Sequence, residues 1–341
     1  MAVAVVAPEA TLTPELKARS EALHDLVVSA VRRAPAESIQ LSGGLDTSVL
    51  AQVAKPQGLR WAFTVLVGKD PPDQDYAQHV AKRLGLEHHE VHTDLEGILE
   101  EVPFVVKVMR TFDPMEVRNS IVVARGLREA KALGVSATLT GDAADELFGG
   151  YSFLWPKSEE EFARSSDRMA RVMRFSSFPM GEALGVQVHA PYMDPEIVAF
   201  SRRLSKAEKV ASVDGVTHGK FLLRLAFPEV PNRWRRKDPI EVGSGSARLT
   251  EHFRTTITKR EFERERERVL REDQVEIRDP EHLAYYRVFG EVFGERPPLT
   301  RHGKDPCPKC GYELPSPESN FCVTCGAWPA RVRKESDTPS A

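Results

Sequence analysis

In the first part of the chain, hydrophobic positions change between helical spacing and the short runs that are typical of buried strands. Thr13 followed by Pro14 predicts a helix start, and apolar residues then recur at helical spacing up to about Ala34. Further helices are predicted over residues 46–54, 75–84, 95–110 and 115–133. Strands are predicted over residues 37–41, 60–67, 88–92 and 135–140. Strands that alternate with helices in this way predict an α/β fold, a parallel sheet with flanking helices.

Beyond about residue 156 the pattern becomes mostly helical. Short helices are predicted over residues 197–204 and 221–226. Residues 259–278 carry dense charge of alternating sign, which is typical of a solvated helix with (i, i+4) ion pairs. We therefore expect this part of the chain to be a helical extension of the α/β domain.

Composition is that of an ordinary globular protein. The 341 residues are 41% hydrophobic and 28% charged, and 47 basic against 50 acidic side chains give a net charge of −3. A uniformly basic nucleic-acid-binding protein is therefore not expected, although a local basic face stays open. The sequence contains no run of 18 apolar residues, so no membrane span is predicted. Residues 1–10 lack the basic start of a signal peptide. We therefore expect a cytoplasmic protein that does not enter a membrane.

All four cysteines lie near the end of the sequence, at Cys307, Cys310, Cys322 and Cys325. The chain before them therefore has no cysteine nucleophile, disulfide or iron–sulfur cluster. Two C-x₂-C pairs separated by 11 residues predict a Cys₄ zinc ribbon, whose closed thiolate shell is typical of a structural ion. Zinc would supply the folding energy that so short a segment lacks, and a redox dithiol is the alternative. Self-association, a protein partner and RNA all stay open as contacts of the ribbon.

A glycine-containing loop is predicted between the first strand and the helix that follows it. The sequence there is Leu41-Ser42-Gly43-Gly44-Leu45-Asp46-Thr47-Ser48. Glycines allow the backbone to approach a ligand closely, and N–H groups of the loop and the helix start form a cradle for an anion. An acid in such a cradle suggests Mg²⁺ beside phosphates. The Gly-Lys-Ser/Thr of a P-loop is missing, so a kinase or GTPase is not favoured; a generic Gly-Gly turn is the alternative.

An acidic cluster follows the predicted strand 135–140. It consists of Gly141-Asp142-Ala143-Ala144-Asp145-Glu146 and continues to Gly149-Gly150-Tyr151. Ligands of open α/β sheets bind at the carboxyl ends of strands. Asp142 and Asp145 share a helix face at this spacing, so both could hold Mg²⁺, or one could hold the metal while the other moves a proton. The alternative is a helix N-terminus carrying acids, which the helix dipole favours.

Together these motifs resemble the synthetase domain of glutamine-dependent asparagine synthetases, a member of the PP-loop ATP pyrophosphatase family with an adenine nucleotide alpha hydrolase-like fold. The resemblance covers roughly residues 15–250 and includes further short motifs in the family's order. These are Thr111-Phe112-Asp113, Pro191-Tyr192-Met193-Asp194, Lys220-Phe221-Leu222-Leu223-Arg224, Arg235-Arg236-Lys237 and Gly243-Ser244-Gly245.

The resemblance implies an ATP-dependent ligase. A substrate carboxylate would attack the α-phosphorus of ATP, giving an acyl-adenylate and pyrophosphate, and ammonia or an amine would then attack the acyl carbon. The resemblance implies that the 42–48 loop binds the pyrophosphate part of ATP and that Asp46 and Asp145 bind Mg²⁺. It also implies that Arg235 and Lys237 hold pyrophosphate.

The resemblance also assigns the adenosine contacts and the catalytic residues. Leu41, Val65 and Gly141 would contact the adenosine. Lys220 would steady negative charge on the α-phosphate or on the oxyanion of the second step. Asp142 would lie near the reacting centre and relay a proton from the incoming amine. These roles agree with the need of adenylyl transfer for positioning and for cations.

The chain departs from the family in two places. The glutamine-dependent enzymes carry an N-terminal glutaminase domain with a cysteine nucleophile, whereas here the first helix follows soon after Met1 and no cysteine precedes Cys307. We therefore expect nitrogen from free ammonia, an amine substrate or a separate glutaminase subunit. His189 replaces an arginine of the family, and Leu184-Gly185 replaces its His-Gly, where the second substrate is expected to be sensed. The identity of the carboxylate therefore stays open.

Asparagine synthesis from aspartate is the specific activity that we predict. A PP-loop enzyme of tRNA or cofactor modification and a nucleotide-binding regulator are the alternatives, and RNA is a less favoured partner. A homo-oligomer stays open. The predicted domains are a PP-loop nucleotide-binding domain over residues 1–156, a helical part of the synthetase domain over 157–298, the zinc ribbon over 299–329 and a disordered tail over 330–341.

Overall fold

The computed structural model describes residues 13–294, 304–317 and 319–331. They fall into two compact units, the first made of residues 13–92 and 125–244 and the second of residues 93–124 and 245–331 with its gaps. The predictions for the N-terminal residues 1–10, for the boundary at residue 298 and for the part of the 330–341 tail beyond residue 331 lie outside the described residues. Ala330 and Arg331, at the start of the predicted tail, are described, and their amides donate hydrogen bonds to Asn320. The domain boundaries at residues 156 and 298 stay a prediction.

The described elements follow the alternation of strand and helix that the sequence predicts. The strands are β1 (Ser38–Gln40), β2 (Trp61–Val67), β3 (Glu87–Thr93), β4 (Ala137–Leu139), β5 (Gln187–His189), β6 (Val210–Val213) and β7 (Val216–Gly219). The first eight helices are α1 (Pro14–Arg33), α2 (Leu45–Ala54), α3 (Asp73–Leu84), α4 (Leu95–Leu99), α5 (Val102–Met109), α6 (Pro114–Ala132), α7 (Ala144–Phe148) and α8 (Glu159–Val172). They are followed by α9 (Ser177–Leu184), α10 (Pro195–Ser201), α11 (Lys206–Lys209), α12 (Phe221–Ala226), α13 (Ile240–Gly243), α14 (Arg248–Thr256), α15 (Lys259–Asp273) and α16 (Pro280–Phe293).

A five-stranded sheet forms the centre of the first unit, with strand order β3-β2-β1-β4-β5. β1 pairs in parallel with both β2 and β4, and β4 pairs in parallel with β5. This confirms the predicted α/β class. Because β1 and β4 are parallel neighbours, with Ile39 opposite Leu139, the loops after both strands meet at the same edge of the sheet. The two chemical motifs follow these two strands.

Apolar burial holds helices against this sheet. α1 starts at a Thr13 cap, whose side chain accepts a hydrogen bond from the amide of Leu16. One face of α1 then packs against α2 and α12. The buried residues of that face are Leu23, Val27, Ala30 and Val31. Each large side chain of this kind contributes roughly 1.5–3 kcal/mol through removal from water. The start of α2, which carries Asp46, is therefore fixed by the core on which it rests.

Two predicted helices differ from those in the structure. The predicted helix 95–110 is two helices, α4 and α5, because Pro103 lacks an amide hydrogen and favours the first turn of a new helix. The predicted helix 259–278 ends at Asp273, where Gln274 adopts a left-handed conformation with φ of 56°. The exposed (i, i+4) ion pairs expected on it are present, such as Arg268 with Glu272 at 3.1 Å.

The second unit contains a bundle of helices in which α16 packs against α5, α14 and α15. Its core includes the fully buried ring of Phe112, which lies between aromatic side chains of α16. The ring centroid of Phe112 is 5.1 Å from that of His282, 5.4 Å from Tyr286 and 5.3 Å from Phe289. No helix of the described residues combines the length and the apolar character that a membrane crossing requires.

Candidate active site

The loop between β1 and α2 is held in a conformation that only glycine fits. Gly43 has a φ of 67°, and a Cβ atom placed on it would lie 2.7 Å from the Cβ of Tyr76. Gly44 is the N-cap of α2, and no described side chain caps it, so the first amides of the helix are left to a ligand. The amide of Gly44 donates to Oγ of Ser42, which lies 3.2 Å from Oγ1 of Thr47. The loop is therefore shaped before a ligand arrives.

This packing gives a direct prediction for stability. Gly43→Ala should lower the free energy of unfolding more than Gly58→Ala does, because both glycines have positive φ but no described atom lies within 4 Å of a Cβ on Gly58. The control should cost about 1–2 kcal/mol from left-handed backbone alone, and Gly43→Ala about 1–3 kcal/mol more from overpacking. Urea unfolding of both variants measures the difference. Equal costs would show that the loop is not clamped against α3.

Four charged side chains from separate parts of the first unit meet beside this loop, and we call them the ion-pair row. Asp46 lies in the first turn of α2, Asp145 in α7, Lys220 just before α12, and Lys237 in the segment after α12. Nζ of Lys220 donates to Oδ2 of Asp46 and lies 2.8 Å from Oδ1 of Asp145. Nζ of Lys237 lies 2.6 Å from Oδ2 of Asp145. The structure thus brings together two predicted metal ligands, one predicted catalytic residue and one predicted pyrophosphate ligand.

Burial and mutual contact set the charges of the ion-pair row. Burial raises the pKa of Asp46, with Lys220 opposing this and Asp145 adding to it. Burial also acts to raise the pKa of Asp145, but Lys220 and Lys237 outweigh it and lower this pKa to about 2. Burial acts to lower the pKa of Lys220, but the two carboxylates outweigh it, so the pKa of Lys220 is raised. Lys220 is therefore an ammonium at neutral pH, fixed between two acids.

The row has the donors that Mg²⁺ requires. Oδ1 of Asp46 is buried and has no hydrogen-bond partner among the described residues, although a buried carboxylate oxygen normally has one. Carboxylate oxygens are the ligands that Mg²⁺ prefers, and it usually takes only one or two of them besides phosphate and water. Asp46 and Asp145 therefore fit the predicted magnesium site.

The acidic cluster and the glycine loop lie close together because the backbone at Gly141 closely approaches the start of α2. A Cβ on Gly141 would lie 3.1 Å from both Cβ of Asp46 and Cγ2 of Thr47, so glycine is needed where β4 passes the start of α2. Leu41 and Val65, predicted to contact adenosine, are 1% and 6% exposed at the same end of the sheet. Thr64 donates from its hydroxyl to the carbonyl of Leu41 at 2.6 Å. The adenosine contacts stay predictions.

Asp142 has two hydroxyl partners that sequence reasoning did not identify. Its Oδ2 accepts hydrogen bonds from Oγ1 of Thr140 at 2.8 Å and from Oγ of Ser177 at 2.5 Å. Burial raises the pKa of Asp142, and the two hydroxyl donors oppose this by stabilising the ionised form. Asp142 is thus a positioned carboxyl whose pKa lies nearer neutrality than usual, as a group that moves protons requires.

Arg235 lies behind the loop in this structure. Its guanidinium donates to the carbonyl of Ser42 at 3.1 Å and to Asp73 at 2.7 Å, and it lies over the ring of Tyr76. Asn232 beside it donates to the carbonyl of Gly43 at 3.2 Å. These contacts fasten the loop to α3. The structure therefore places Lys237 in the ion-pair row but Arg235 in a supporting position.

A further buried contact could not be anticipated from spacing. Tyr192 is fully buried and donates from its hydroxyl to the main-chain carbonyl of Asp46 at 3.0 Å. His189, three residues earlier in β5, accepts a hydrogen bond at its carbonyl from the amide of Thr140. Burial lowers the pKa of the His189 imidazole, so this side chain is neutral at pH 7. His189 stands where the family has an arginine, so this position is uncharged here. It lies beside the end of β4, the strand that leads to Asp142.

The four cysteines form a separate cluster in the second unit. All four are buried, and their Sγ atoms lie within 4.8 Å of one another. Sγ of Cys307 is 3.8 Å from that of Cys325, and Sγ of Cys310 is 3.6 Å from that of Cys322. Four sulfurs at about 2.3 Å from a tetrahedral zinc would be separated by similar distances. The amides of Gly311 and Gly326 close the two turns onto the carbonyls of Cys307 and Cys322.

This cysteine cluster is docked on the helices of its own unit. The amide of Phe112 donates to the carbonyl of Thr324 at 2.8 Å, and Arg278 donates to the carbonyl of Gly326 at 2.7 Å. The amide of Glu276 donates to the carbonyl of Lys309 at 2.9 Å. The segment 111–113, one of the motifs noted in the sequence, is thus tied directly to the cysteine segment.

The parallel sheet and the acids at its carboxyl edge define an α/β domain of the type that the motifs predict. Residues 20–179 match the family described as asparagine synthase, which confirms the predicted resemblance.

Curated relatives named as asparagine synthetases agree with this match. A "Probable asparagine synthetase [glutamine-hydrolyzing]" of Dictyostelium discoideum is 27% identical over 322 residues, covering 85% of this chain and 57% of the relative. "Asparagine synthetase B [glutamine-hydrolyzing]" of Escherichia coli (strain K12) is 27% identical over 249 residues, 66% of this chain and 44% of the relative. This chain thus spans about half the length of the curated relatives that it matches. A solved NMN synthetase from Francisella tularensis aligns with a TM-score of 0.27 and 16% identity over 70% of this chain and 95% of that one.

Proposed function

We propose that this chain is an ATP-dependent ligase that adenylates a carboxylate, releases AMP and pyrophosphate, and transfers the acyl group to ammonia or an amine. Aspartate is the carboxylate that we propose. The ion-pair row beside the glycine loop carries the proposal, because two half-buried acids and two ammonium groups meet beside the loop that we propose binds the phosphates. The asparagine synthase domain and the asparagine synthetase names of the relatives support it.

Each residue of the row has a distinct proposed task. The amides of the 42–48 loop bind phosphate oxygens, and Asp46 and Asp145 would hold Mg²⁺, which supplies charge neutralisation at the phosphates. Lys220 donates to the oxygens on which negative charge develops, and Lys237 holds the departing pyrophosphate. A preorganised charge of this kind costs no rearrangement during the reaction, which is why it can lower the barrier.

Asp142 serves the second step in this proposal. A raised pKa makes its carboxylate a stronger base than an ordinary aspartate, so it accepts a proton from the attacking amine. Thr140 and Ser177 hold the oxygen Oδ2 in place. We propose free ammonia, an amine or a separate glutaminase subunit as the source of the nitrogen.

We also propose that the cysteine cluster binds a structural Zn²⁺. The spacing of the four sulfur atoms supports a four-coordinate site, and their complete burial leaves no open position for a substrate.

A product assay tests the proposed activity. The protein is incubated with ATP and Mg²⁺ plus aspartate, with and without ammonia, and AMP, ADP, pyrophosphate and phosphate are quantified. We expect AMP and pyrophosphate that depend on aspartate, and asparagine only when ammonia is present. A parallel reaction with bulk tRNA in place of aspartate tests the modification enzyme. ADP and phosphate as products, or AMP formed only with tRNA, would contradict the proposal.

Ser177→Ala should change the pH dependence of kcat in the ligase reaction more than it changes the maximal value of kcat. Without this donor the ionised form of Asp142 is less stable, so the acidic limb of the kcat profile moves to higher pH. We expect kcat to fall about tenfold near pH 6 and to approach the wild-type value near pH 9. The control is Ser176→Ala, since Ser176 is the N-cap of α9 and makes no side-chain cap bond within the described residues. An equal loss at every pH would indicate a merely structural role.

A further inference from the structure

A small cavity lies in the first unit among α7, α8, α10 and α11, and the proposed ligase mechanism does not use it. Its volume is about 40 Å³. The polar and charged side chains that line it are those of Glu146, Ser166, Asp167, Ser201, Arg202, Lys206 and Lys209. A water needs roughly 10–15 Å³ of such volume, so the cavity has room for about three waters or one small ion.

Two polar side chains of the cavity lining have no hydrogen-bond or ion-pair partner within the described residues. Lys209 is 4% exposed, and within the described residues its Nζ makes no hydrogen bond or ion pair. Ser166 is 5% exposed, and its Oγ has no hydrogen-bond partner there either. Burial lowers the pKa of Lys209 to about 8, although the carboxylates of Glu208, Asp167 and Glu159 oppose this, and most of the amine is protonated at pH 7. An ammonium with no partner at contact distance in a largely buried place is only partly compensated by these acids, so a group that contacts it would be bound with a gain of free energy.

The other charged side chains of the lining already have ion-pair or hydrogen-bond partners. Asp167 accepts from Arg202 at 2.5 Å and from Arg171 at 2.7 Å. Glu146 accepts a hydrogen bond from the hydroxyl of Tyr151 at 2.6 Å. Lys206 donates from its Nζ to the carbonyl of Lys157 at 2.6 Å.

Acidic side chains just outside the lining also have ion-pair or hydrogen-bond partners. Glu208 pairs with Arg19 at 3.0 Å, and Glu159 accepts from the amide of Lys206 at 2.8 Å. Lys209 is therefore the one cation of the lining, within the described residues, that has no partner at contact distance.

We propose that this cavity is a binding site for a small monovalent anion of halide or bicarbonate size, held by the ammonium of Lys209 and the hydroxyl of Ser166. Both groups donate hydrogen bonds, and a hydroxyl with no other acceptor is suited to an anion. The volume excludes a nucleotide or a sugar phosphate.

The site adjoins the segment that carries Asp145. Glu146 and Leu147 of α7 line the cavity, and Cβ of Lys209 lies 3.3 Å from the place that a Cβ on Gly149 would occupy. A bound anion would keep Lys209 charged and in place against this segment. We therefore expect the anion to stabilise α7 and the start of the loop after it.

The test compares chloride, bicarbonate and gluconate at equal ionic strength and pH 7, with thermal unfolding as the readout. Gluconate is too large for the cavity and serves as the reference anion. We expect chloride or bicarbonate to raise the Tm of the wild type relative to gluconate. In Lys209→Met, which keeps the apolar stem, this difference should vanish, and in Ser166→Ala the apparent Kd should rise about tenfold. Lys17→Met, which removes an exposed lysine, should behave as the wild type.

Location is tested separately, by anomalous diffraction from crystals soaked in bromide. We expect a bromide peak within hydrogen-bond distance of Nζ of Lys209 and Oγ of Ser166. The proposal is overturned if no bromide lies in the cavity, or if Lys209→Met keeps the full Tm difference between chloride and gluconate. Because neither readout uses ATP turnover, these outcomes are independent of the proposed ligase activity.

Discussion

Lys220→Met is expected to reduce the rate of AMP formation by about 100- to 1,000-fold. Nζ of Lys220 contacts both acids of the ion-pair row, and its pKa is raised, so the variant loses a fixed positive charge at the phosphates. Removal of a single preorganised donor of this kind typically costs two to three orders of magnitude in kcat. Steady-state measurement of AMP with saturating ATP and aspartate gives the effect.

Lys237→Met is the matched control for this prediction. Within the described residues Lys237 pairs with Asp145 and not with Asp46, and it is about a third exposed, so its loss should cost no more than about tenfold. Lys220→Arg retains the charge and separates loss of charge from loss of fold. A Lys220→Met protein that keeps its Tm and more than a tenth of the wild-type rate would exclude Lys220 from the reaction.

Removal of metal from the cysteine cluster is expected to release the segment 111–113 from its contact with the cysteine segment. Zinc supplies roughly 10–16 kcal/mol to the folding of comparable short segments, so the cluster should not stay ordered without it. The amides of Phe112 and Glu276 would then lose their acceptors, the carbonyls of Thr324 and Lys309. The purified protein should contain one zinc per chain.

Hydrogen exchange of the metal-loaded and metal-free protein measures this effect residue by residue. The amides of Phe112 and Glu276 should exchange at least about 100-fold faster after chelation. The amide of Leu41, which donates to the carbonyl of Phe63 in the first unit, provides an internal control that should be unchanged. Cys310→Ser should reproduce the effect of chelation. A protein that holds no metal, or whose Phe112 amide keeps its protection without metal, would contradict the zinc proposal.

Most helices and strands of the first unit could be predicted from the sequence, because the hydrophobic pattern that indicates each one lies within that element. Phe221–Ala226 is a helix as predicted, and the strand–helix alternation predicted the parallel sheet. β5 was missed because three residues at Gln187–His189 offer no period to detect. The β6–β7 hairpin did have a signal, the dipeptide Asp214-Gly215 with both φ values positive, which is the preferred turn of a two-residue hairpin.

The candidate site is less readable from sequence, because its contacts join residues far apart in the chain. Motifs identified Asp46, Asp145 and Lys220, and the structure brings these three together. Spacing could not show that Ser177 would reach Asp142, since the serine lies on a helix beyond the second motif.

Arg235 shows a further limit of sequence reasoning. The pattern places it beside Lys237, yet its guanidinium is held by Asp73 behind the loop. Long flexible side chains find their partners only when the fold is complete, and neighbouring positions in an irregular segment therefore do not predict a shared target.

The central claim is that the ion-pair row directs a carboxylate to the α-phosphorus of ATP. Transfer of isotope tests this most directly: aspartate labelled with ¹⁸O in its side-chain carboxylate is incubated with ATP, Mg²⁺ and ammonia, and AMP is analysed by mass spectrometry. We expect one ¹⁸O atom in each AMP formed by the wild type, and almost no AMP from Lys220→Met. Unlabelled AMP, or ADP with phosphate as the products, would contradict the claim.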